Sequence, residues 1–216
     1  MRIPSHPHAM LALVVAVLTT NSRVDARDDP GPVNGTFPSC VRLVGSNGVQ
    51  APQQFGGFEV ILLDIASNPV PGALMRVDFS AIPELIIAAD QPDPEAIVDC
   101  AGRSVSKVTD VNGRAVFCIV GASTNAVPGV TLLNGCRIYG NGRLCASPTA
   151  NAYDLDGMSG LGAADLTVFL NDFASGLNLG RSDFDCSGNL GANDLSIWLR
   201  AFASGTQLVS ASAGCP

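Results

Sequence analysis

The residues of this chain best suited to chemistry are six aspartates in two matching triplets. Asp154, Asp156 and Asp165 stand at the first, third and twelfth places of one loop, and Asp183, Asp185 and Asp194 at the same places of another. The segments DLDGMSGLGAADLTVFLNDFASG (154–176) and DFDCSGNLGANDLSIWLRAFASG (183–205) align at a period of 29 residues with 12 of 23 positions identical, so the region is an internal repeat. Carboxylates spaced in this way offer hard oxygen donors around a turn. A calcium ion takes about six to eight such oxygens at roughly 2.3–2.6 Å. The side chains at places one and three and the carbonyl at place seven (Gly160, Asn189) would approach from one side, and the twelfth carboxylate would close the shell.

The elements that position these loops are helices. Leu166, Phe169, Leu170 and Phe173 recur at helical spacing, and Leu195, Trp198, Leu199 and Phe202 repeat the pattern. The two apolar faces are expected to pack on each other. Leu161 and Leu190, at the eighth place, would tuck inward and link the loops. Each helix ends at Ser-Gly, a C-cap signal. A unit of about 60 residues is small enough to need a metal, a disulfide or a partner.

Upstream, from about Cys40 to Cys145, the chain reads as all-β. Phe58–Ile65, Ala73–Phe79, Ser104–Thr109, Arg114–Val120, Val130–Leu133, Cys136–Tyr139 and Arg143–Ala146 are rich in apolar and β-branched residues with turn signals between them. The Asn112-Gly113 and Gly140-Asn141-Gly142 steps predict hairpins.

Met1–His8 with one arginine, the apolar run Ala9–Leu18, and Val24-Asp25-Ala26 follow the order of a secretory signal peptide. Cleavage after Ala26 would remove His6 and His8 and with them every imidazole, excluding histidine-based catalysis and metal sites. No second stretch is long enough to cross a membrane. The formal charge is −7 and Lys107 is the only lysine, which argues against nucleic acid as a partner. Seven cysteines in an exported chain predict a disulfide framework. Spacing does not fix the connectivity; local pairing gives Cys186–Cys215, Cys136–Cys145 and Cys100–Cys118, and leaves Cys40 over.

Two resemblances follow from these residues. SNPVPGALMRVDFS (67–80) and VTDVNGRAVFCIV (108–120) resemble bacterial immunoglobulin-like repeats, which implies a structural or adhesive β-sandwich. The duplicated loop-helix segment resembles type I dockerin modules, which bind two calcium ions and in many members plug into a cohesin. That resemblance places ligands on Asp154, Asp156, Gly160 and Asp165, then on Asp183, Asp185, Ser187, Asn189 and Asp194. Met158 stands at the fifth place of the first loop, where an oxygen is usual, and Ser159 replaces the turn glycine that the second loop keeps as Gly188. The first loop is therefore expected to be the weaker.

The expected organisation is a signal peptide (1–26), a flexible lead-in (27–39), a mainly β immunoglobulin-like sandwich (40–148) and a small all-α dockerin-like domain (150–216). The expected function is that of an exported, non-catalytic structural or attachment protein carrying one or two calcium ions. A true dockerin that docks a ligand-binding β domain onto a cohesin-type scaffold is the alternative. A small glycoside hydrolase using acids among Asp90, Asp93, Glu95 and Asp99 is the remote one.

Overall fold

The computed structural model describes residues 34–45, 53–124, 135–158, 160–176, 180–204 and 214–215. The expected signal peptide, most of the lead-in, the strand at 130–133, Ser159 and the glycine cap at 205 lie outside these residues. In chain order the first elements are β1 (Gly35–Thr36), β2 (Cys40–Leu43), the short helix α1 (Gln53–Gly56), β3 (Gly57–Leu62), β4 (Leu74–Asp78), β5 (Leu85–Ile87) and β6 (Ile97–Asp99). There follow β7 (Ser104–Val108), β8 (Arg114–Cys118), β9 (Gly121–Ser123), β10 (Arg137–Gly140), β11 (Arg143–Ala146) and β12 (Thr149–Ala152). The helices α2 (Ala163–Ser175) and α3 (Ala192–Ala203) flank a 3-10 turn at Gly180–Ser182.

Alternation of apolar and polar residues builds two larger sheets, beside the two-stranded pairs β2-β12 and β5-β9. One has the order β1-β3-β8, the other β11-β10-β4-β7-β6. Val60 and Leu62 of β3, Ala115 and Phe117 of β8, Met75 and Val77 of β4, Val105 of β7 and Ile138 of β10 meet in one buried core. β10 and β11 form the expected hairpin, turning at Asn141 (φ 48°) and Gly142 (φ 81°), both in the left-handed region that suits a two-residue turn. The step at Asn112-Gly113 does something else. β7 pairs with β4 and β6, whereas β8 pairs with β3, so the turn arches from one sheet to the other. Asp110 holds the arch by accepting the amides of Asn112 and Arg114 on Oδ1, at 2.8 and 3.0 Å, and Gly113 O then accepts Leu62 N at 2.8 Å. The lead-in is also partly structured, since Gly35 and Thr36 pair with Leu62 and Ile61.

The expected separate all-α domain at the C-terminus is not formed. The described chain is mainly β, and its last third is built into the β body. β12 pairs in parallel with β2 from Thr149↔Cys40 to Ala152↔Leu43. A second buried cluster mixes Val44, Ala88, Cys118, Val120 and Tyr153 of the body with Leu155, Phe169, Phe184 and Trp198 of the repeats. The helices do not bury their full apolar faces on each other. Phe169 and Trp198 are buried, but Leu170, Phe173, Leu199 and Phe202 are exposed. The reason is a better partner: Phe169 stacks on Phe184, Phe184 on Tyr153, and Trp198 Nε1 donates to the Tyr153 carbonyl at 3.0 Å. Each such aromatic contributes about 1.5–3 kcal/mol by burial.

The disulfides carry the same message. Cys40 bonds Cys186 and Cys100 bonds Cys215, while Cys118, Cys136 and Cys145 are free thiols. The expected pairs Cys186–Cys215, Cys136–Cys145 and Cys100–Cys118 are all absent. Cys145 sits at a bulge in the β10–β11 ladder, where Ile138 faces Ala146 and Tyr139 faces Leu144, so Cys136 does not come opposite it. Cys118 lies across the arch, in the other sheet from β6, out of reach of Cys100. Cys215 is drawn to Cys100 because its own amide bonds Ile87 O at 2.8 Å, and Cys186 is held against β2. In the chain-entropy view, closing loops of 146 and 115 residues stabilises the folded state by about 4–5 kcal/mol each.

Candidate metal centre

Both triplets assemble as their spacing requires. Oxygens of Asp154, Asp156 and Asp165 lie within 4.8 Å of one another, and so do those of Asp183, Asp185 and Asp194. In the first loop all three carboxylates are buried; in the second, Asp185 is half-buried and the others buried.

Backbone amides hold the acids in place. Asp165, in the first turn of α2, accepts Leu155 N (2.6 Å) and Asp156 N (3.0 Å) on Oδ1 and reaches back to Gly162 N (2.7 Å) with Oδ2. Asp194 does the same in α3, with Asp185 N at 3.0 Å and Gly191 N at 2.8 Å. The twelfth acid thus ties each loop to the start of its helix, where amide groups favour negative charge. Asp154 accepts Gly157 N at 2.7 Å, and Asp156 accepts Met158 N at 2.8 Å. In the second loop Asp183 accepts Ser187 N (3.0 Å) and Gly188 N (2.8 Å), and Asp185 also accepts Ser187 N (3.0 Å).

Burial and mutual charge shift these carboxyls. Burial pushes the Asp165 carboxyl above its ordinary value, with the Asp156 charge adding to the rise and three backbone amides opposing it. Burial likewise raises Asp183, helped by the neighbouring Asp185 carboxyl and the Asp194 charge. Asp185 is held low, first by the Ser187 hydroxyl. Three converging, partly desolvated carboxylates repel one another, and a cation removes that cost. The donors are all oxygen, so the residues present suit a hard ion.

The loops differ at places four to eight. Met158 is 62% exposed, and its thioether offers no hard donor. Ser187 Oγ, at the same place in the second loop, lies 3.1 Å from the carbonyl of Asn189, so the fifth- and seventh-place oxygens are adjacent. The left-handed turn residue is Gly188 (φ 82°) at place six of the second loop; in the first, Gly160 (φ 77°) at place seven takes a positive φ and is buried. Leu161 is buried and Leu190 partly so, both in the second apolar cluster.

Place four anchors each loop to the body. Gly157 (φ 72°) lies so close to β9 that a Cβ there would meet Ser123 O at 2.4 Å, and Ser123 N donates to Asp154 O at 2.7 Å. Cys186 (φ 56°) holds the same place in the second loop and carries the disulfide to Cys40. Sequence reasoning missed the body residues that grip the second loop: Arg42, whose Nε donates to Phe184 O, and Asn151, whose Nδ2 donates to Asp183 O at 2.6 Å. It also missed Asp172, buried on α2, which accepts Arg181 Nη2 and Ser182 Oγ at 2.6 Å each and so ties α2 to the next repeat. The repeat itself held the one clue to Asp172, which stands where the second copy has Ala201.

Three of the four acids considered for hydrolysis have structural partners. Asp93 and Glu95 flank the buried Lys107 Nζ at 2.8 and 3.2 Å, and Asp99 accepts Gly102 N at 2.9 Å.

Comparison with protein-family models, curated proteins and solved structures gives no match in any of the three. Among the described residues no helix is long and apolar enough to cross a membrane.

Proposed function

We propose that this chain is an exported, non-catalytic structural or attachment protein in which two calcium ions lock a duplicated loop-helix segment onto a β body. One observation carries this reading: both aspartate triplets converge to within 4.8 Å, in register with the 29-residue repeat. Asp154, Asp156, Asp165 and the Gly160 carbonyl would hold one ion. Asp183, Asp185, Ser187, Asp194 and the Asn189 carbonyl would hold the other. Bound calcium supplies charge neutralisation for buried carboxylates, which converts their repulsion into folding free energy. The two disulfides support an oxidising location outside the cytosol. The ligand set favours affinities in the range of about 10⁻⁵ to 10⁻³ M, which extracellular calcium fills.

The test is a calorimetric calcium titration of the whole oxidised chain, because the repeats share their core with the body. Two binding events with a rise in melting temperature support the reading. A flat titration overturns it.

A second reading, docking onto a cohesin-type protein partner, is favoured by the exposed pairs Leu170/Phe173 and Leu199/Phe202, which occupy equivalent places of the two repeats. Replacing all four by serine should leave calcium binding intact and abolish capture of such a partner.

A further inference from the structure

The β body grips the second loop at two main-chain carbonyls and one side chain. Asn151 of β12, 1% exposed, donates to the carbonyl of Asp183, the first-place residue. Its own Oδ1 has no partner among the described residues, so the side chain is buried at a cost that an apolar residue would avoid. Arg42 of β2 donates to the carbonyl of Phe184, at place two. Cys40 of β2 bonds Cys186, at place four, between the third- and fifth-place oxygen donors Asp185 and Ser187.

Cys186 sits at φ 56°, a conformation that residues with a Cβ seldom adopt, where the first repeat places glycine. The cross-link to β2 and the hydrogen bonds of Ser187 N and Gly188 N to Asp183 and Asp185 hold it there. Cutting the bond removes one of these restraints from the backbone that joins the donors Asp185 and Ser187. No equivalent exists in the first loop, whose fourth place is glycine packed on β9.

We infer that Cys40, Arg42 and Asn151 are positioning residues for the cation of the second loop, and that its affinity is coupled to the Cys40–Cys186 disulfide. This rests on the calcium reading above. The coupling is reciprocal: whatever factor the disulfide adds to calcium affinity, calcium adds to the disulfide's resistance to reduction. The reductant is a small thiol such as glutathione. Its thiolate attacks one sulfur, the Cys40–Cys186 bond breaks, and a second thiol resolves the mixed disulfide. Two thiols on the chain and one oxidised glutathione result.

The first experiment uses the unaltered chain. Cys40–Cys186 is equilibrated against glutathione buffers with and without saturating calcium, and the thiols are read by alkylation and peptide mass mapping, with Cys100–Cys215 as internal control. Calcium is expected to shift the Cys40–Cys186 equilibrium at least tenfold toward the disulfide and Cys100–Cys215 by less than twofold. In C40S/C186S, second-loop calcium binding should weaken by the same factor with the first loop unchanged. Asn151→Ala should weaken the second loop alone, at least threefold, which a general loss of stability would not do. Equal reducibility with and without calcium, in a chain that does bind it, overturns the coupling. A chain that binds no calcium overturns the calcium reading itself, and the titration above reports that separately. If C40S/C186S does not fold, the measurement on the unaltered chain decides alone.

Discussion

The first loop has the deeper burial and the poorer ligand set; the second has the better ligand set and the more open rim. Asp154, Asp156 and Asp165 are all buried, yet Met158 fills the fifth place. Ser187 and Asn189 are exposed, yet they offer the second loop two adjacent oxygens beyond those of Asp183, Asp185 and Asp194. The difference shows two ways of holding one duplicated motif. The first copy is welded to the β body by close backbone contact through Gly157. The second is held by a cross-link and two side chains.

The sharpest break of this comparison is D183A/D194A in the whole chain. Second-loop calcium affinity should fall by more than about 100-fold, leaving one event in the titration. Two surviving events would show that the ligands are misassigned. Next comes the pair Gly157→Ala and Gly188→Ala. Both positions have positive φ, but a Cβ at 157 meets Ser123 O at 2.4 Å, whereas at 188 nothing lies within 4 Å. Urea denaturation should show a loss of about 2–3 kcal/mol for the first and about 1 kcal/mol for the second. Equal losses would remove the close-contact weld. Met158→Asp should then raise first-loop affinity about tenfold, or about 1.4 kcal/mol, bringing the loops together.

Protons give the smallest and most graded test. Asp165 and Asp183 both have carboxyls raised above 3.8 in the folded chain without metal. A raised group contributes stability that is complete below its unfolded value and is lost as pH rises through its folded value. With calcium chelated, these two groups should therefore add stability on acidification from neutrality into the carboxylate range. The depressed Asp64, Asp110 and Asp185 contribute oppositely, so the share of the two is read as the difference between thermal melts of the unaltered chain and of D165N/D183N. With calcium present the trend should reverse, since protons displace the ion. Matching slopes in the two series would separate these acids from the metal.

The candidate site was legible because duplication is a strong signal: six carboxylates in register, each triplet backed by a helix, specify convergence without any knowledge of the rest. Strands were legible too, from alternation at Phe58, Val60 and Leu62 or at Met75 and Val77. What could not be read was which element faces which. Asn112-Gly113 has hairpin chemistry, yet an Asp110-centred turn serves an arch equally well, and local residues do not state which sheet the next strand joins. The disulfides failed for the same reason. Spacing ranks near neighbours, whereas Cys40 finds Cys186 through the parallel pairing of β2 with β12, a contact with no local signature. The helix faces misled because an amphipathic stripe says only that something apolar lies opposite, and here much of it is Tyr153 and the rest of the body.

The Cys40–Cys186 bond also decides how this chain would carry mechanical tension. Pulled between residue 34 and residue 215, a chain lacking this bond would pay out residues 34–100 before the Cys100–Cys215 cystine took the load, about 220 Å at full stretch. The Cys40–Cys186 cystine short-circuits that path. Force entering at residue 34 crosses from Cys40 to Cys186, so tension runs only through residues 34–40 and 186–215, and the tether yields about 120 Å. Residues 41–185 remain slack. The crossing point lies inside the second loop: Asp183 and Asp185 fall on the slack side and Ser187, Asn189 and Asp194 on the taut side. An ion held by both sets is a clasp across the junction, and the pull needed to open it would depend on calcium concentration.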